Sequence, residues 1–246
     1  GLMPADVDRQ VLRAYHATRE ARGDKTPGRL RKHLGSLRSL WNTLAAETIA
    51  AFETSSEGIC PRNRAKLLQF TPCRIQAFLD LSAALLTDVD AELKRRKAAA
   101  RRQGRSAPRG RDLIDEGLAR QMEVALAHDI LLARPLRLGN LRSLRLDDIR
   151  FDTDGCAVLV IPAARVKGRL TGEADLHVPL SARKTRLLRQ VIDVARPTLV
   201  GSGAETNPYL FPARSAPDAP YSRLGEALVA AVHERVGVRI HPHLYR

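Results

Sequence analysis

The chain has 246 residues, and 41 lysines and arginines against 27 aspartates and glutamates give it a formal net charge of +14. This length allows two domains that each bury a core, and the charge favours nucleic acid as the partner, with arginine-rich solvated faces as the alternative. The 3 cysteines, without Cys-x-x-Cys spacing, exclude a disulfide framework and a zinc site, and no apolar run reaches the roughly 18 to 20 residues that a membrane span needs.

Two helices are predicted in the first sixty residues. Val7, Val11 and Tyr15 form the apolar stripe of the first helix, and the second begins where Thr26 can cap and Pro27 can take the first helical position. The second helix carries a basic flank, which either contacts DNA or is a solvated face: Arg29, Arg31, Lys32, His33 and Arg38. We expect residues 1–62 to form a small helical domain and 63–246 a second domain, with the boundary in a polar stretch.

The second domain begins with a third helix. Thr71 and Pro72 repeat the cap-plus-proline start, and apolar residues continue to Leu93. The basic stretch "KRRKAAARRQGRSAPRGR" that follows either extends this helix or forms a mobile loop that binds phosphates. A further helix is predicted over 113–132, with Leu118, Met122, Leu126 and Ile130 as its core stripe.

After that helix the apolar pattern changes. "CAVLVIPAARV" and "DLHVPLS" are rich in β-branched residues and are separated by turn residues, which predicts a small antiparallel sheet around 149–180. Helices are predicted again at 182–195 and 221–236, joined by the proline-rich stretch "NPYLFPARSAPDAP". The expected fold class is therefore mainly α with a small antiparallel β-sheet, or α+β.

Four basic residues occur in an informative order along this domain. Arg137 lies in "PLRLGNL" on a predicted helix, Lys167 lies in the turn "RVKGR", and His243 and Arg246 form a His-x-x-Arg box in "HLYR". Each is unremarkable alone, and a surface arginine or a solvated lysine is the ordinary explanation. In this order, the series resembles the tyrosine recombinase, or phage integrase, family of DNA strand-exchange enzymes, from about Thr71 to the end.

The flanking residues extend the resemblance and also depart from it. "PLRLGNLRSLRLDDI" is similar to the family's first arginine segment, and "NPYLFP" resembles the stretch before its last helices. Pro135 replaces the usual glycine, and Asn140 replaces an acidic residue that helps to hold the site together, so the pairing of a buried guanidinium there is in doubt. Tyr245 stands where the box commonly has leucine, and His241 is a weaker candidate than His243 because only His243 has the right offset.

The resemblance implies a chemistry that fits these residues. When a hydroxyl attacks the DNA phosphorus, charge develops on the nonbridging oxygens, and the guanidinium groups of Arg137 and Arg246 can bind those oxygens. Lys167 would protonate the leaving 5′ oxygen, and His243 would assist deprotonation of the nucleophile or orient the phosphate. The scheme uses no metal and no cofactor, and the covalent protein–DNA link conserves the phosphodiester energy for rejoining.

The nucleophile of the family is a tyrosine some tens of residues after the His-x-x-Arg box, and none stands there in this sequence. Tyr245 is adjacent to Arg246 and would point about 100° away from it on a helix, so we do not expect it to substitute. The sequence therefore predicts a catalytic domain that is truncated or incompletely ordered at its C-terminus.

The predicted function is site-specific DNA recombination or integration through a 3′-phosphotyrosyl intermediate, in the cytoplasm and without a membrane partner. The resemblance implies a homotetramer on double-stranded DNA, with Arg142 and the basic flank around Arg29 as further DNA contacts. The first alternative is a non-catalytic DNA-binding relative that acts as a regulator or repressor, and a weaker one is an RNA-binding helical protein. The target sequence and the direction of recombination cannot be read from these residues.

Overall fold

The computed structural model describes the second domain most fully. Its Cα positions form two compact units, Gly1–Leu68 and Gln69–Arg246. The described residues are 14, 17–18, 21, 68–103, 110–166, 173–201, 207–214, 216, 218–240 and 245. Residues 14, 17–18 and 21 are helical, but the rest of both predicted N-terminal helices lies outside the described residues, including Arg29, Arg31, Lys32 and Arg38. The helical clamp domain of 1–62 therefore stays a prediction.

The second unit opens with two helices where one was predicted. Helix α1 spans Pro72–Leu79 and α2 spans Leu81–Arg102. The predicted start is confirmed, since the Thr71 hydroxyl accepts a hydrogen bond from the Arg74 N–H at 3.4 Å and Pro72 takes the first position. Asp80 separates the two helices and accepts a hydrogen bond from Gln76 Nε2 at 2.7 Å. The basic stretch continues α2 as far as Arg102, and residues 104–109 lie outside the description.

The central helix is α3, Glu116–Ala133. It begins three residues later than predicted, because Gly110–Leu113 form a 3-10 turn and the Asp115 carboxylate caps the helix by accepting from the Leu118 N–H at 3.0 Å. The four predicted stripe residues are buried, but so is almost every residue between Leu118 and Leu131. Helix α3 packs against α2 and against the helices and strand described below, and a helix enclosed in this way has no solvent-facing stripe.

The predicted antiparallel sheet is confirmed. After a short helix α4, Leu138–Arg142, the strands are β1, Ile149–Phe151, β2, Ala157–Ile161, and β3, Leu176–Pro179. They lie in the order β1-β2-β3, with Leu159 opposite both Ile149 and Val178. Alternate residues of β2 and β3 are buried, which is the period of a sheet with one face on the core. Part of the connection between β2 and β3, residues 167–172, lies outside the description.

The last elements are helical and close the core. Helix α5, Ala182–Gln190, continues through a π-helical turn, Val191–Ala195, into α6, Arg196–Val200, so the helix passes the predicted end at residue 195. Pro197 lacks a backbone N–H but lies in the first turn after the π segment, where proline is tolerated. Helix α7, Leu224–Val236, begins three residues after the predicted start and ends at Gly237, whose φ of 73° suits glycine. Over the described ranges, the fold is mainly helical with a small antiparallel sheet, and none of its helices is both long and apolar enough to cross a membrane.

Candidate phosphate-binding site

Arg137 precedes α4 rather than lying inside a helix, which corrects the sequence prediction. It is the N-cap residue of α4, with extended backbone angles of φ −66° and ψ 143°. Leu136 before it and Leu141 after it are buried, which holds the main chain at this point against the core. The Arg137 side chain is half-buried. The local sequence thus anchors the backbone with leucines and leaves the guanidinium at the surface of the domain.

The Arg137 guanidinium has no hydrogen bond or ion pair with any described residue. Other arginines of the domain are paired: Arg120 Nη1 lies 2.7 Å from Glu123 Oε2, and Arg165 bonds to the Asp148 carboxylate. A half-buried guanidinium without an anion loses solvation and gains nothing in return, so an external anion that reaches it is bound favourably. Arg137 is therefore a described cation suited to take an anionic ligand, and the half-buried Arg142, whose buried Nε also has no hydrogen bond with a described residue, is another.

Asn140 does not supply the missing negative charge. It is buried in α4, and its main-chain carbonyl accepts a hydrogen bond from Ser143 Oγ at 3.1 Å. Its side-chain amide has no hydrogen bond with a described residue. The buried carboxylate of this segment, Asp148, accepts from the Arg145 N–H at 2.8 Å and pairs with Arg165. The charge of Arg137 is therefore not neutralised from its own segment.

The loop that carries Lys167 is attached to the Arg137 segment at its base. Arg165 follows β2 in a 3-10 turn, Ala163–Arg165, and bonds to Asp148 and, at 3.4 Å, to the carbonyl of Ser143. On the other side of the loop, Asp175 Oδ1 accepts a hydrogen bond from the Ala163 N–H at 3.0 Å. Lys167 comes two residues after Arg165 and lies outside the described residues.

The stretch "NPYLFP" also contacts the Arg137 segment. The Leu146 N–H donates to the Pro208 carbonyl and the Leu210 N–H donates to the Leu144 carbonyl, both at 2.9 Å. Arg196, which is buried in α6, donates to the carbonyls of Asn207 and Tyr209 from the opposite side. The segment is therefore fixed between α6 and the residues that follow α4.

Of the His-x-x-Arg box, the structure describes only Tyr245; His243 and Arg246 lie outside the described residues. Tyr245 Oη lies 2.7 Å from Nδ1 of His128, which is fully buried in α3. Burial raises the pKa of the Tyr245 phenol, and burial lowers the pKa of His128 to about 4, opposed weakly by the backbone of Phe78. Both groups are therefore neutral at physiological pH, and one proton lies between them.

The sequence did not reveal the buried polar residues of α3. Glu123, His128 and Asp129 are all at most 1% exposed. Glu123 pairs with Arg120 through one oxygen only, while its Oε1 has no described partner, and burial raises its pKa to about 7 against the opposing effects of Arg120 and Arg196. Asp129 accepts from Ser82 Oγ at 3.0 Å. The available signal was the presence of these letters in an otherwise apolar helix.

Arg142, a predicted DNA contact, lies on a separate groove of about 490 Å³ between α4 and α7. The groove has an apolar floor that includes Leu138 and Val229, and Arg239 and His233 stand at its exposed edge. The buried Nε of Arg142 has no hydrogen bond with a described residue. Glu226 also lines the groove, so its lining holds one carboxylate as well as the two arginines, and Leu138 is the residue that follows Arg137 in the chain.

In comparisons with known proteins, no family model and no curated protein matches this chain. Over the part of the chain that the structure describes, no three histidine, cysteine, aspartate or glutamate side chains lie close enough together to hold a metal ion. The features that bear on function are the Arg137 guanidinium, the attachment of its segment to the base of the Lys167 loop, and the contacts of Tyr245.

Proposed function

We propose that the chain binds double-stranded DNA and takes part in site-specific strand cleavage and rejoining as a tyrosine recombinase, assembled as a tetramer on the DNA. The observation that carries the proposal is the half-buried, unpaired guanidinium of Arg137 at a leucine-anchored position. The formal charge of +14 supports a polyanionic ligand.

Strand cleavage requires a cation held in a fixed position at the scissile phosphate. In-line attack at phosphorus develops charge on the nonbridging oxygens, and a rigid guanidinium can bind them through two charge-assisted hydrogen bonds. Arg137 suits this role because its main chain is anchored on both sides while its side chain has no competing described carboxylate. Arg246 would complete the clamp, and Lys167 would donate a proton to the leaving oxygen. His243 would help to deprotonate the nucleophile or orient the phosphate.

A second candidate is a non-catalytic DNA-binding relative, and Asn140, an amide where the resemblance implies an acidic residue, favours it. Asn140 is buried in α4, and its side-chain amide has no hydrogen bond with a described residue. In this reading Arg137 binds a phosphate without cleaving it, and Asn140 reflects a site that no longer needs catalytic pairing.

The test measures DNA binding against salt, followed by covalent capture. Binding to a labelled random-sequence 30-base-pair duplex is measured by fluorescence anisotropy over a range of salt concentrations, for the wild type and for Arg137→Ala. The plot of log affinity against log salt should be steep, and Arg137→Ala should reduce the slope by about 0.9, the value of one phosphate contact. The control is Arg214→Ala, which removes the same charge from an exposed arginine already paired with Glu116 and should leave the slope unchanged.

A denaturing gel of protein incubated with a duplex library then separates the two functions. Because the expected nucleophile would follow residue 246, this gel uses protein expressed from the coding sequence extended past Arg246. A tyrosine-linked DNA adduct that disappears in Arg137→Ala supports the recombinase, whereas steep binding without an adduct supports the non-catalytic relative. A salt-independent affinity would refute both, because neither function can avoid phosphate contacts.

A further inference from the structure

The groove between α4 and α7 follows one face of α7. Its lining residues from this helix recur at about one-turn intervals, which places them on the same face: Gly225, Glu226, Val229, Ala230 and His233. From Gly225 to His233 the helix rises about 12 Å, a little over two turns. Glu226, Ala230 and His233 are exposed, so the groove is open to solvent on this side. A groove of this length and form suits a short helical segment.

The floor of the groove is apolar. Leu138 of α4 and Val229 of α7 are half-buried in it, and Ala230 adds a methyl group at its open side. Gly225 has no side chain to fill the space between the two helices. Covering such a floor with apolar side chains removes it from water and is therefore favourable. The occupant of the groove should thus carry apolar side chains on one face.

The polar residues of the groove leave two arginines without carboxylates. Arg142 comes one turn after Leu138 on α4, and neither Arg142 nor Arg239 forms an ion pair with a described residue. The buried Nε of Arg142 also has no hydrogen bond with a described residue. The carboxylate of the lining, Glu226, accepts from Arg223 Nε at 3.0 Å. External carboxylates can therefore form charge-assisted hydrogen bonds with Arg142 and Arg239.

We propose that the groove between α4 and α7 binds an acidic amphipathic helix of a partner protein. Its apolar side chains cover Leu138 and Val229, and its carboxylates pair with Arg142 and Arg239. The formal charge of +14 favours an acidic partner over a second copy of this chain, because two basic copies repel each other. The inference goes beyond the proposed function and does not depend on it.

DNA fits the groove less well than such a helix does. A duplex carries one negative charge per about 1.7 Å, so its backbone cannot approach the two arginines without also bringing phosphates towards Glu226. A peptide can place carboxylates beside the arginines alone. Contacts to DNA also go mostly to phosphates and sugars, which leave an apolar floor uncovered. The sequence-based prediction that Arg142 contacts DNA is therefore the alternative that the experiment must separate.

The probe is a fluorescein-labelled peptide of about 16 residues, long enough to form a helix in part. It carries leucines at the i, i+3, i+4 and i+7 positions of one face and glutamates on both sides of that face. Two matched peptides replace every glutamate by lysine or every leucine by alanine. In fluorescence anisotropy with the full chain, we expect the glutamate–leucine peptide to bind at least about tenfold more tightly than either matched peptide, because each of those lacks one kind of contact.

Substitutions in the groove then locate the bound peptide. Ala230→Glu adds a carboxylate and a longer side chain, and Arg239→Ala removes a cation, so each should weaken binding of the glutamate–leucine peptide by about tenfold. Both residues are exposed, so neither change removes buried packing. The matched controls are Ala98→Glu, which adds the same charge at an exposed alanine of α2, and Arg214→Ala, which removes a cation paired with Glu116. Both controls should bind the peptide as the wild type does.

The outcomes separate the proposal from its alternatives. Equal binding of the three peptides, or equal weakening by Ala230→Glu and Ala98→Glu, would overturn the proposal, since overall charge would then account for the affinity. If Arg142→Ala reduces the slope of log affinity against log salt for the 30-base-pair duplex by about 0.9 and leaves the peptide affinity unchanged, the groove belongs to DNA.

Sedimentation of the full chain tests the remaining occupant. Self-association that Ala230→Glu abolishes and Ala98→Glu preserves would assign the groove to a second copy and would overturn the proposal. The proposed function is tested separately through Arg137→Ala, so either can fail while the other stands.

Discussion

Gly225 in α7 has no side chain, and this leaves room for Leu138, the residue that follows Arg137. A Cβ atom added to Gly225 in α7 would lie 2.5 Å from Cδ2 and 3.2 Å from Cδ1 of Leu138, the residue that follows Arg137. Real Cβ atoms are not found at the shorter distance, so Leu138 would have to move. The contact between α4 and α7 therefore depends on glycine at this position.

Gly225→Ala should lower the free energy of unfolding by up to about 2 kcal/mol, because overpacking costs about 1 to 3 kcal/mol and better helix propensity returns about 1. In a Leu138→Ala background the same change should be stabilising by up to about 1 kcal/mol, since the opposing side chain is gone. Urea unfolding of the four proteins of this cycle is the measurement. Gly139→Ala is the control, because nothing lies within 4 Å of its added Cβ atom and its effect should be the same in both backgrounds.

At this scale, the match to the arginine segment located Arg137 but predicted neither the burial of the leucines around it nor the polar contacts of the core. Leu141 and Leu144 are buried. The partner of His128 could not be predicted, because Tyr245 comes 117 positions later. Arg120 and Glu123 have the ordinary i,i+3 spacing of a helical ion pair, but the burial of Glu123 could not be predicted from apolar periodicity.

Among the elements, the start of α3 has two stabilising contacts on one side chain. The Asp115 carboxylate caps the helix through the Leu118 N–H and also forms an ion pair with Arg96 Nη2 at 2.7 Å. The hydrogen bond from Leu118 and then that from Arg96 lower the pKa of Asp115. Because the ion pair is well exposed, we expect the cap to contribute more to stability than the pair does.

Asp115→Ala should therefore cost about 1 kcal/mol or somewhat more, and Asp115→Asn should cost less than half of that, since asparagine still caps but cannot pair with Arg96. Urea unfolding with both variants measures the difference. Ser181→Ala removes a weaker cap of α5, where the Lys184 N–H lies 3.5 Å from Ser181 Oγ, and should cost less than Asp115→Ala. Equal costs for Asp115→Ala and Asp115→Asn would assign the stabilisation to the ion pair instead.

Helix starts were easier to predict than helix interruptions. Thr71 and Pro72 are a local signal, and the structure uses them as expected. The break at Asp80 and the π-helical turn at Val191–Ala195 have no comparable signal, because each depends on how neighbouring helices pack. Arg137 illustrates the same limit, since its position before α4 follows from the burial of leucines on both sides rather than from helix propensity.

At the scale of the whole molecule, two buried titratable groups, His128 and Glu123, have opposite effects on how the free energy of unfolding changes with pH. The pKa of His128 is lowered to about 4 by burial, so between its unfolded value near 6.5 and about 4 the unfolded chain binds a proton that the folded chain does not. Stability from this group is complete above pH 6.5 and is lost as the pH falls. The groups that face it are Tyr245 and, more distantly, Lys184.

Glu123 has the opposite dependence. Burial raises its pKa to about 7, so between about 4.5 and 7 the folded chain holds a proton that the unfolded chain has released. Its contribution to stability is complete below pH 4.5 and is lost as the pH rises through 7. Arg120 and Arg196 face this carboxyl and moderate the effect.

Near pH 5.5 the two effects should therefore cancel, and single substitutions should expose them. Relative to the wild type, Glu123→Gln should make the free energy of unfolding rise by about 1 kcal/mol per pH unit, and His128→Asn should make it fall by about the same amount. The measurement is urea unfolding at several values between pH 5 and 6.5. Parallel curves for the wild type and both variants would show that neither group titrates differently on folding.

The fold class was predictable at this scale, because the spacing of apolar residues and the density of β-branched residues are local features of the sequence. The burial of both His128 and Glu123 in the core was not predictable from such local features.

In the π-helical turn between α5 and α6, the number of residues affects the orientation of α6 more than the identity of those residues does. An α-helix turns by about 100° per residue, and the π-helical turn already holds one residue more than an α-helical turn. Inserting a further residue into Val191–Ala195 would therefore rotate everything that follows, whereas deleting one can restore a regular α-helix with α6 in place. After an insertion, Arg196 would turn away from the carbonyls of Asn207 and Tyr209, and the buried Leu199 would leave the core. The insertion would disturb "NPYLFP" and, through Leu144 and Leu146, the segment that follows Arg137, even if every other side chain were unchanged.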